Sequence, residues 1–471
     1  MTDRRAAVVD TTGARGYVMG MAKVSTKPPS GMRDFLPQDV VRRRHVVDIV
    51  REVYEGYGFL PLETPTIESL DLLLGKYGEG DKLIYRVLHR GESLTRVLTD
   101  KGAAVAEADL ADQALRYDLT VPLARVVAQY GDLPKFFKRY QIQPVWRADR
   151  PGRGRFREFY QCDVDVTGTT SLLAEAEVCG AVAQVLTRLG FDDFTLHINH
   201  RQLLRGLIRG AGIDTSLEST ALIAVDKLDK VGRDGVTAEL QERGIAAASA
   251  SRLLDLITAD ASDDADQFAY LRRELGSDER AVAALDELQQ LLQLLEATPA
   301  GPFTAITPAL ARGLGYYTGP IFEISVADLA GSMGGGGRYD ELVGMFGKRD
   351  IPAVGFSLGL ERILVVMGER GMYPADLGLG PDVLVCWRSV GEADVLKVAH
   401  ALRAGGARVE IFPEAPKLGK QLQYADSIAA RFAAIVGESE IAEGTVTLKH
   451  LQSGDQQTVP LAEAAAIVAE K

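Results

Sequence analysis

The sequence predicts an α+β protein: an antiparallel sheet flanked by helices, with a helical insertion and a small C-terminal α/β domain. Strand-like runs follow one another early in the chain, at residues 83–88, 95–99, 136–146 and 156–166. No long helical pattern separates them, which favours antiparallel pairing. From 203 to about 295 the chain is rich in Leu, Ala, Glu and Arg at helical spacing. After 381, strands and helices alternate, as in a mixed sheet.

These patterns divide the chain into five segments. We predict a disordered tail at 1–27, a main domain in two parts at 28–200 and 301–376, the insertion at 201–300 and a last domain at 380–471. A chain of 471 residues is too long for one ordinary core. The tail mixes acidic and basic residues without an apolar core, so we expect no secretory signal. No run approaches the ~18 apolar residues that span a bilayer, so we expect no membrane association.

The main domain is predicted to begin with an ordered loop at 31–37 and a helix at 40–54. Gly56 and Gly58 should end that helix. An extended segment follows and reaches Pro65, because proline restricts the residue before it to extended geometry. Further on, we predict a strand at 321–326 and a helix at 356–366. The last domain is predicted to contain strands at 383–387, 408–412, 432–436 and 445–448 and helices at 392–404 and 418–430.

Charge and cysteine content restrict the class of protein. A net charge of −12 argues against a protein that coats nucleic acid, although a local positive field remains compatible with it. The stretch 135–157 supplies such a field, with eight Lys or Arg and only Asp149 in opposition. The three cysteines are scattered, which is typical of a reducing compartment and predicts a cytoplasmic protein. His197 and His200 have no partner cluster, so we predict no metal site there.

The stretch 140–165 is predicted to form a hairpin with arginines around its turn. Arg147 ends one strand, a Pro-Gly-Arg-Gly turn follows, and Arg155 and Phe159 lie on the return strand. Guanidinium groups so placed can fork onto phosphate oxygens. Strand alternation puts the odd-numbered residues from 155 to 165 on one face, including Gln161 and Asp165. That face is either the floor of a ligand site or an exposed surface with ordinary ion pairs.

A glycine run at 334–337 also has two interpretations. It matches neither a P-loop nor a dinucleotide-binding fingerprint. It is either a structural turn or a backbone that a flat ligand approaches closely. Arg362 lies early in the helix that follows, where an ion pair is the alternative to ligand binding.

Together these residues resemble class II aminoacyl-tRNA synthetases from Gly31 nearly to the C-terminus. Segments 58–65, the hairpin around Arg147 and 355–362 are similar to the three motifs of that class, in order. Arg116-Tyr-Asp-Leu-Thr and Arg312-Gly-Leu-x-Tyr-Tyr resemble the histidine-binding segments of histidyl-tRNA synthetases. The resemblance implies a ligase that activates histidine with ATP and charges tRNA-His. It also implies a six- or seven-stranded antiparallel sheet, an insertion that contacts the acceptor stem, a C-terminal anticodon-binding domain and a homodimer.

The resemblance also assigns the site residues. It implies histidine binding by Asp118, Thr120, Gln161, Asp165, Arg312, Tyr316 and Tyr317, with Asp165 and Tyr317 at the imidazole. It implies ATP binding by Arg147, Asp149, Arg155, Phe159 and Arg362, with Phe159 on the adenine. Arg147 and Arg312 are the catalytic candidates, both at the α-phosphate. Mg²⁺ is expected to accompany ATP, held by phosphates and water rather than by a dedicated protein site. Gly315 departs from the aspartate that the family usually has there.

Two other functions fit parts of the pattern. One is a synthetase-like regulatory subunit of ATP phosphoribosyltransferase, without catalysis. Such paralogues typically lack the last domain and lose catalytic arginines, whereas Arg147, Arg312 and Arg362 are all present in this chain. The other is a tRNA-sensing module that binds tRNA without charging it.

Overall fold

The computed structural model describes residues 25–259, 264–311, 315–347, 349–374, 377–378, 380–414 and 417–469. The predicted tail lies outside the described residues up to residue 24, and so does Arg312. Among the described residues, no helix is both long and apolar enough to cross a membrane.

Strands and helices are numbered in chain order. The strands are β1 Leu60–Pro61, β2 Ile67–Ser69, β3 Arg86–Leu88, β4 Ala111–Leu115, β5 Phe137–Trp146, β6 Glu158–Thr167, β7 Thr195–His200, β8 Thr304–Ile306, β9 Pro320–Ser325, β10 Gly334–Arg338, β11 Ala353–Gly359, β12 Val383–Trp387, β13 Val409–Ile411, β14 Phe432–Val436, β15 Thr445–His450 and β16 Gln456–Pro460. The helices are α1 Pro37–Gly56, α2 Leu70–Leu73, α3 Glu92–Lys101, α4 Thr120–Gln129, α5 Leu173–Arg188, α6 Arg201–Gly210, α7 Glu218–Val225, α8 Leu228–Glu242, α9 Ala247–Ile257, α10 Asp264–Leu275, α11 Glu279–Glu296, α12 Leu360–Arg370, α13 Glu392–Ala404, α14 Leu418–Ser427, α15 Glu438–Glu443 and α16 Leu461–Ala469.

The main domain is built on an eight-stranded sheet in the order β1-β5-β6-β11-β10-β9-β7-β8. The central pairs are antiparallel, as predicted. The outer pairs β1–β5 and β7–β8 are parallel, so the sheet is mixed and larger than the six or seven antiparallel strands that we expected. The α+β fold class is confirmed. A second sheet, β2-β4-β3, lies in the same domain.

Strand alternation gives the main sheet one apolar and one polar face. On β6, Cys162, Val164 and Val166 are buried in the large apolar core, to which α1 and α5 also contribute. The alternate residues Gln161, Asp163 and Asp165 are also buried, although they are polar. Buried polar side chains are costly unless they are paired. The polar face therefore indicates a site rather than a second core.

Two local predictions were wrong. Residues 95–99 lie in α3 rather than in a strand, because helical spacing of Leu and Val on this short amphipathic segment prevails over its threonines. The predicted helix at 356–366 is β11 as far as Gly359 and becomes α12 only at Leu360. The glycine run, for which two interpretations were open, forms strand β10, which excludes the structural turn.

The insertion and the last domain have the predicted character. Helices α6 to α11 make up the insertion, and Leu253, Leu271 and Leu288 are among its fully buried side chains. The last domain has a five-stranded mixed sheet in the order β13-β12-β14-β15-β16. Strands β12, β13 and β14 are parallel, and β15 and β16 add antiparallel pairs.

Candidate active site

The hairpin of β5 and β6 supplies most of the polar face. Its register sets Arg139 opposite Asp165, Gln141 opposite Asp163 and Gln143 opposite Gln161. On the other side of β6, Gly355 pairs with Asp165. Facing residues in neighbouring strands have their side chains on the same face. Strand pairing alone therefore places amide and carboxylate side chains in one row. Gly355 lies next to the carboxylate of Asp165 in this row.

Arg139, Asp163 and Asp165 form a buried ionic triad. Arg139 is 0% exposed, and its Nη2 lies 3.0 Å from Asp165 Oδ2 and 3.8 Å from Asp163 Oδ2. The Tyr339 hydroxyl donates to the other oxygen of Asp165. One oxygen of Asp165 is thus held by a hydrogen bond, whereas Oδ2 lies in an ion pair with Arg139 and makes no hydrogen bond. A carboxylate fixed in this way is a preorganised acceptor for a polar ligand.

The carboxyl of Asp163 should make the stability of the protein depend on pH. Burial, together with the charge of Asp165 and against the opposing charge of Arg139, raises the pKa of Asp163 to about 7. Because this pKa lies above the unfolded value of ~3.9, the folded state holds the proton more tightly, and the stability it contributes is lost as the pH rises towards 7. Asp163→Asn removes this titration. We expect its gain in Tm over the wild type to grow from pH 5 to pH 7 and then to level off.

Differential scanning calorimetry at half-unit pH steps measures this difference. Asp132→Asn, at an exposed position in the turn after α4, is the control and should track the wild type at every pH. A Tm difference for Asp163→Asn that does not change between pH 5 and pH 8 would contradict the assignment.

Asp118 lies at the other end of the polar row, just before α4. It is 1% exposed and accepts hydrogen bonds from the Tyr77 hydroxyl at 3.0 Å and the Tyr316 hydroxyl at 3.4 Å. The side chain of Thr120 hydrogen-bonds Tyr316 in turn. Burial raises the pKa of Asp118, whereas hydrogen bonds and Arg147 lower it. The Asp118 carboxyl can therefore accept hydrogen bonds from a cationic group of a ligand. Such a group would replace the solvation that the carboxyl loses on burial.

Gln161 precedes Asp163 on the polar face of β6. Its amide nitrogen donates to Ser357 Oγ at 2.7 Å and lies 3.4 Å from Asp163 Oδ1. Its Oε1 is buried and has no hydrogen-bond partner. A buried acceptor without a donor costs about 1–3 kcal/mol. A ligand that donates a hydrogen bond at this position would recover that energy.

The glycine strand brings the backbone close to these groups. A Cβ on Gly355 would lie 1.9 Å from Asp165 Oδ1, and one on Gly336 would lie 2.0 Å from the Gly355 oxygen. A Cβ on Gly337 would come within 3.0 Å of the Tyr317 ring. A side chain at Gly355 would displace Asp165, and one at Gly337 would crowd Tyr317. The close-approach interpretation of the glycine run is therefore the better one, and Tyr317 packs across β10 beside the triad.

Tyr316, Tyr317 and Tyr339 form an aromatic wall over the row. The Tyr316 ring lies 5.0 Å from Tyr317 and 6.0 Å from Tyr339, both edge to face. Tyr316 bonds Asp118 and Tyr339 bonds Asp165, so the wall joins both ends of the slot. Gly315 precedes it, and a Cβ there would meet nothing within 4 Å. The departure from aspartate at this position thus has no steric cause.

The guanidinium of Arg147 lies over two aromatic rings at the mouth of the hairpin. Its guanidinium carbon is 4.4 Å from the Tyr117 ring centre and 5.2 Å from that of Phe159. Its Nε donates to the Tyr117 carbonyl at 3.0 Å. A planar cation that contacts aromatic rings can still donate hydrogen bonds from its edge. Such an edge can bind a phosphate with two hydrogen bonds.

The turn of the hairpin differs from the prediction. Strand β6 begins only at Glu158, so Arg155 lies in the turn, closed by paired backbone bonds with Gly152 at 3.0 Å. The Arg155 guanidinium is about half exposed and pairs with Asp149 at 2.6 Å. Arg157 also leaves the face, since it donates to the Ser30 carbonyl. Proline and glycines at 151–154 end the pairing before these residues.

Arg362 lies in the first turn of α12, against the hairpin turn. Its Nη1 donates to the Ser332 carbonyl at 2.5 Å. A Cβ on Gly154 would lie 3.4 Å from Arg362 Cγ, and a Cβ on Gly359 would lie 3.7 Å from its Cδ. Gly359 pairs with Gln161, so Arg362 borders the same face of the sheet. Its neighbour Glu361 is buried and accepts from the Tyr160 backbone instead.

The structure thus brings together most of the predicted site residues. Those on the polar face or at its edge are Asp118, Thr120, Gln161, Asp165, Tyr316, Tyr317, Arg147, Phe159 and Arg362. Asp149 and Arg155 lie beside them in the turn. Arg312 lies outside the described residues. No group of three or more His, Cys, Asp or Glu suited to a metal ion occurs in the described part of the chain.

The sequence analysis missed Arg139, Tyr77 and Tyr339 as members of the site. Arg139 could have been found from the hairpin alone, because an arginine facing a buried aspartate across two strands predicts an ion pair. Tyr339 follows the glycine run directly but carries no pattern of its own. Tyr77 lies in a segment whose path is set by tertiary contacts.

A mixed sheet with an arginine-bearing hairpin, a glycine strand and a short helix carrying Arg362 defines a class II aminoacyl-tRNA synthetase. A family model described as histidyl-tRNA synthetase matches residues 31–363, and one described as anticodon binding domain matches 383–471. The chain therefore belongs to the histidyl-tRNA synthetase family, and its last domain to the anticodon-binding family.

Individual relatives agree. A protein of Gloeobacter violaceus named histidine–tRNA ligase is 42% identical, over 93% of this chain and 97% of its own length. The crystal structure of histidyl-tRNA synthetase from a Nostoc species superposes with a TM-score of 0.77 at 32% identity, covering 95% of this chain and 99% of that one. A Bacillus halodurans structure titled ATP phosphoribosyltransferase regulatory subunit/histidyl-tRNA synthetase has a TM-score of 0.69 over 88% of this chain and 98% of its own. At 21% identity, that likeness shows the fold alone.

Proposed function

We propose that this chain is a histidine–tRNA ligase, which activates L-histidine with ATP to histidyl-adenylate and transfers the histidine to tRNA-His. The observation that carries the proposal is a buried carboxylate, Asp165, fixed beside Tyr317 on the same sheet face as the stacked guanidinium of Arg147. Curated relatives named histidine–tRNA ligase match nearly the whole chain at about 40% identity, which supports it.

The slot between Asp118 and Asp165 suits histidine. The α-ammonium group would donate to Asp118, to Thr120 and to the unpartnered Oε1 of Gln161. A neutral imidazole has one N–H donor and one acceptor nitrogen. Asp165 accepts from the first and the phenol of Tyr317 donates to the second. Tyr316 supports the slot through its bond to Asp118. Ring analogues without these groups would leave buried polar atoms unpaired and be rejected by ~10⁴-fold or more.

ATP would bind along the arginine edge of the same face. Arg147 donates to the α-phosphate and Arg362 to the γ-phosphate, while Phe159 stacks on the adenine. The Asp149–Arg155 pair lies at the outer edge of this site, where its half-exposed guanidinium is available to the phosphate tail. Mg²⁺ would travel with ATP, bound by phosphate oxygens and water. The positive charges compensate the negative charge that ATP brings.

The chemistry of activation is a displacement at phosphorus. A carboxylate oxygen of histidine forms a bond to the α-phosphorus while the bond from that phosphorus to the bridging oxygen breaks, and pyrophosphate leaves with the electron pair. Negative charge grows on the α-phosphate oxygens, where the fixed guanidinium of Arg147 stabilises it. Arg312 is assigned to both the substrate carboxylate and this phosphate by family resemblance. In the second step, a terminal ribose hydroxyl of tRNA attacks the acyl carbon and AMP leaves.

The remaining parts of the chain fit tRNA binding and a dimer. We assign the last domain to the anticodon and the α6–α11 insertion to the acceptor stem. The edge strand β1 leaves Leu60 57% exposed, and Ile67 beyond Pro65 is 43% exposed. Apolar side chains at an unpaired sheet edge favour burial against a second copy.

The reducing cytoplasm suits the cysteines of this chain. Buried free thiols are found at Cys162, Cys179 and Cys386.

Two assays test the proposed function. The full-length protein should exchange pyrophosphate into ATP only when histidine is added, and should then charge tRNA-His. Folded protein that binds histidine but shows no exchange would favour the regulatory alternative. tRNA binding without charging would favour a sensing module.

A further inference from the structure

Arg139 does more than neutralise a carboxylate, because it touches both ends of the proposed histidine slot. Its Nη2 pairs with Asp165 at the imidazole end and donates to the Leu119 carbonyl at 3.1 Å. Leu119 lies between Asp118 and Thr120, which form the ammonium end. One rigid guanidinium thus sets the distance between the two halves of the slot.

Burying Arg139 costs free energy that a merely structural ion pair would not justify. It is fully buried, and its Nε and Nη1 have no hydrogen-bond partner. Buried ion pairs often add little to stability compared with apolar residues of similar volume. A fixed cation with two unsatisfied donors is better explained by the electric field that it creates. That field acts directly on Asp163 and Asp165.

On this basis, and resting on the proposed function, we propose that Arg139 is the positioning residue that makes the slot select the neutral form of the imidazole. Its charge favours the ionised form of Asp165, against the burial that raises the pKa of this carboxyl, and directs the carboxylate as an acceptor. It also repels an imidazolium ring, since that cation would bind next to a guanidinium that no solvent screens.

The charge balance of the closed slot agrees with this role. The α-ammonium of histidine offsets Asp118, and Arg139 offsets Asp165. With Asp163 protonated and the imidazole neutral, these charges sum to zero. Burial favours protonation of Asp163, whose pKa is raised.

Further ionisable groups on neighbouring elements that face the triad are Tyr54, Arg116, Asp118 and Tyr339. The phenols stay neutral because burial raises the pKa of each.

Three variants test the proposal in the histidine-dependent exchange assay: Arg139→Met, Arg139→Met/Asp163→Asn and Arg338→Met. The last is a matched control, because Arg338 is 3% exposed and pairs with Glu175 on the opposite face of the sheet. We expect Arg139→Met to raise the KM for histidine about tenfold or more and the KM for ATP less than about threefold, as the loss of one charge-assisted contact predicts. The double variant should recover a large part of that loss, since it leaves one buried carboxylate instead of two. Arg338→Met should not separate the two KM values.

The pH profile gives the decisive readout. For the wild type, and equally for Asp163→Asn, in which that carboxyl cannot titrate, the KM for histidine should rise about fourfold from pH 8 to pH 6, as the neutral fraction of an imidazole of pKa ~6.5 falls. For Arg139→Met the rise should vanish, because two carboxylates without the guanidinium accept imidazolium. A profile like that of the wild type, or a double variant weaker than the single one, would overturn the proposal.

If Arg139→Met does not fold, Arg139→Lys takes its place. Lysine keeps the charge but, with a single nitrogen, cannot hold Asp165 and the Leu119 carbonyl in the same way. The KM for histidine should then rise with the wild-type pH profile, and an equal rise in the KM for ATP would overturn the proposal. Exchange by the wild type that does not need histidine would instead refute the proposed function itself.

Discussion

Replacing Arg147 by alanine should lower the rate of histidine-dependent ATP–pyrophosphate exchange by ~10²–10³, the usual cost of losing one group that stabilises transition-state charge. The reason is the geometry of the guanidinium, which lies over the rings of Tyr117 and Phe159 and is aimed by its bond to the Tyr117 carbonyl. Because these contacts are made before ATP binds, the arginine needs no reorganisation in the transition state. The loss should appear mainly in kcat.

Two variants make this prediction specific. Arg147→Lys keeps the charge but loses the planar fork, and should recover only part of the rate. Arg153→Ala removes a guanidinium from the same hairpin whose partners are Glu369 and the Asp328 carbonyl on the protein surface. Exchange by Arg153→Ala should be close to normal. An Arg147→Ala protein with near-normal exchange would remove Arg147 from the α-phosphate.

Replacing Asp165 should affect histidine far more than ATP. Asp165→Asn keeps the volume but loses the charge, and the amide would present a donor to Arg139 or to the imidazole. We expect the KM for histidine to rise ~10²-fold, the cost of a lost charge-assisted hydrogen bond together with an unsatisfied buried partner. The KM for ATP should change by less than about threefold, since the arginine edge is not altered. Steady-state exchange with each substrate varied in turn measures both constants.

The alanine variant is less informative at this position. Asp165→Ala leaves Arg139 buried without its nearest partner, and breaking a buried ion pair in this way typically costs ~3–5 kcal/mol. Its Tm should fall clearly, whereas that of Asp165→Asn should fall less. Equal rises in the two KM values for the asparagine variant would exclude Asp165 from the imidazole role.

Much of the fold follows from local sequence patterns. Helix α1 ends at Gly56, before Gly58 with its φ of +78°, as the sequence predicts, but it begins at Pro37, within the predicted loop and three residues before the predicted start. The insertion and the last domain were recognisable because long periodic helices and alternating elements are strong patterns. The failures lie where patterns are short. The segment 95–99 is too short for its pattern to distinguish a helix from a strand. Strand β11 continues directly into α12, and only Gly359 marks the change.

The site was predictable as a set of residues but not as a network. Strand alternation correctly places Gln161, Asp163 and Asp165 on one face, because the period of two is fixed by backbone geometry. The partner of Asp165 was not predicted, since it depends on the register of β5 against β6. The phenol of Tyr339 reaches Asp165 from the end of β10, 174 residues along the chain. Contacts between residues so far apart in the chain are determined by tertiary packing. They produce no recognisable pattern in the local sequence.

The glycines of β10 and β11 and the side chains of Asp165 and Tyr317 restrict one another. Gly355 has no alternative while Asp165 keeps its place, because a methyl group there would overlap the carboxylate. The absent side chains of β10 leave room for the Tyr317 ring to cross the strand. The same absence makes β10 poor in β-propensity, so its pairing depends on β9 and β11 on either side.

A crystal structure with a non-hydrolysable analogue of histidyl-adenylate tests the central claim, that one face of one sheet holds both the imidazole and the α-phosphate. We predict an imidazole nitrogen within hydrogen-bonding distance of Asp165 and an α-phosphate oxygen, or its sulfamoyl substitute, at the guanidinium of Arg147. An analogue bound with its ring away from Asp165, or with its phosphate mimic out of reach of Arg147, would contradict the account.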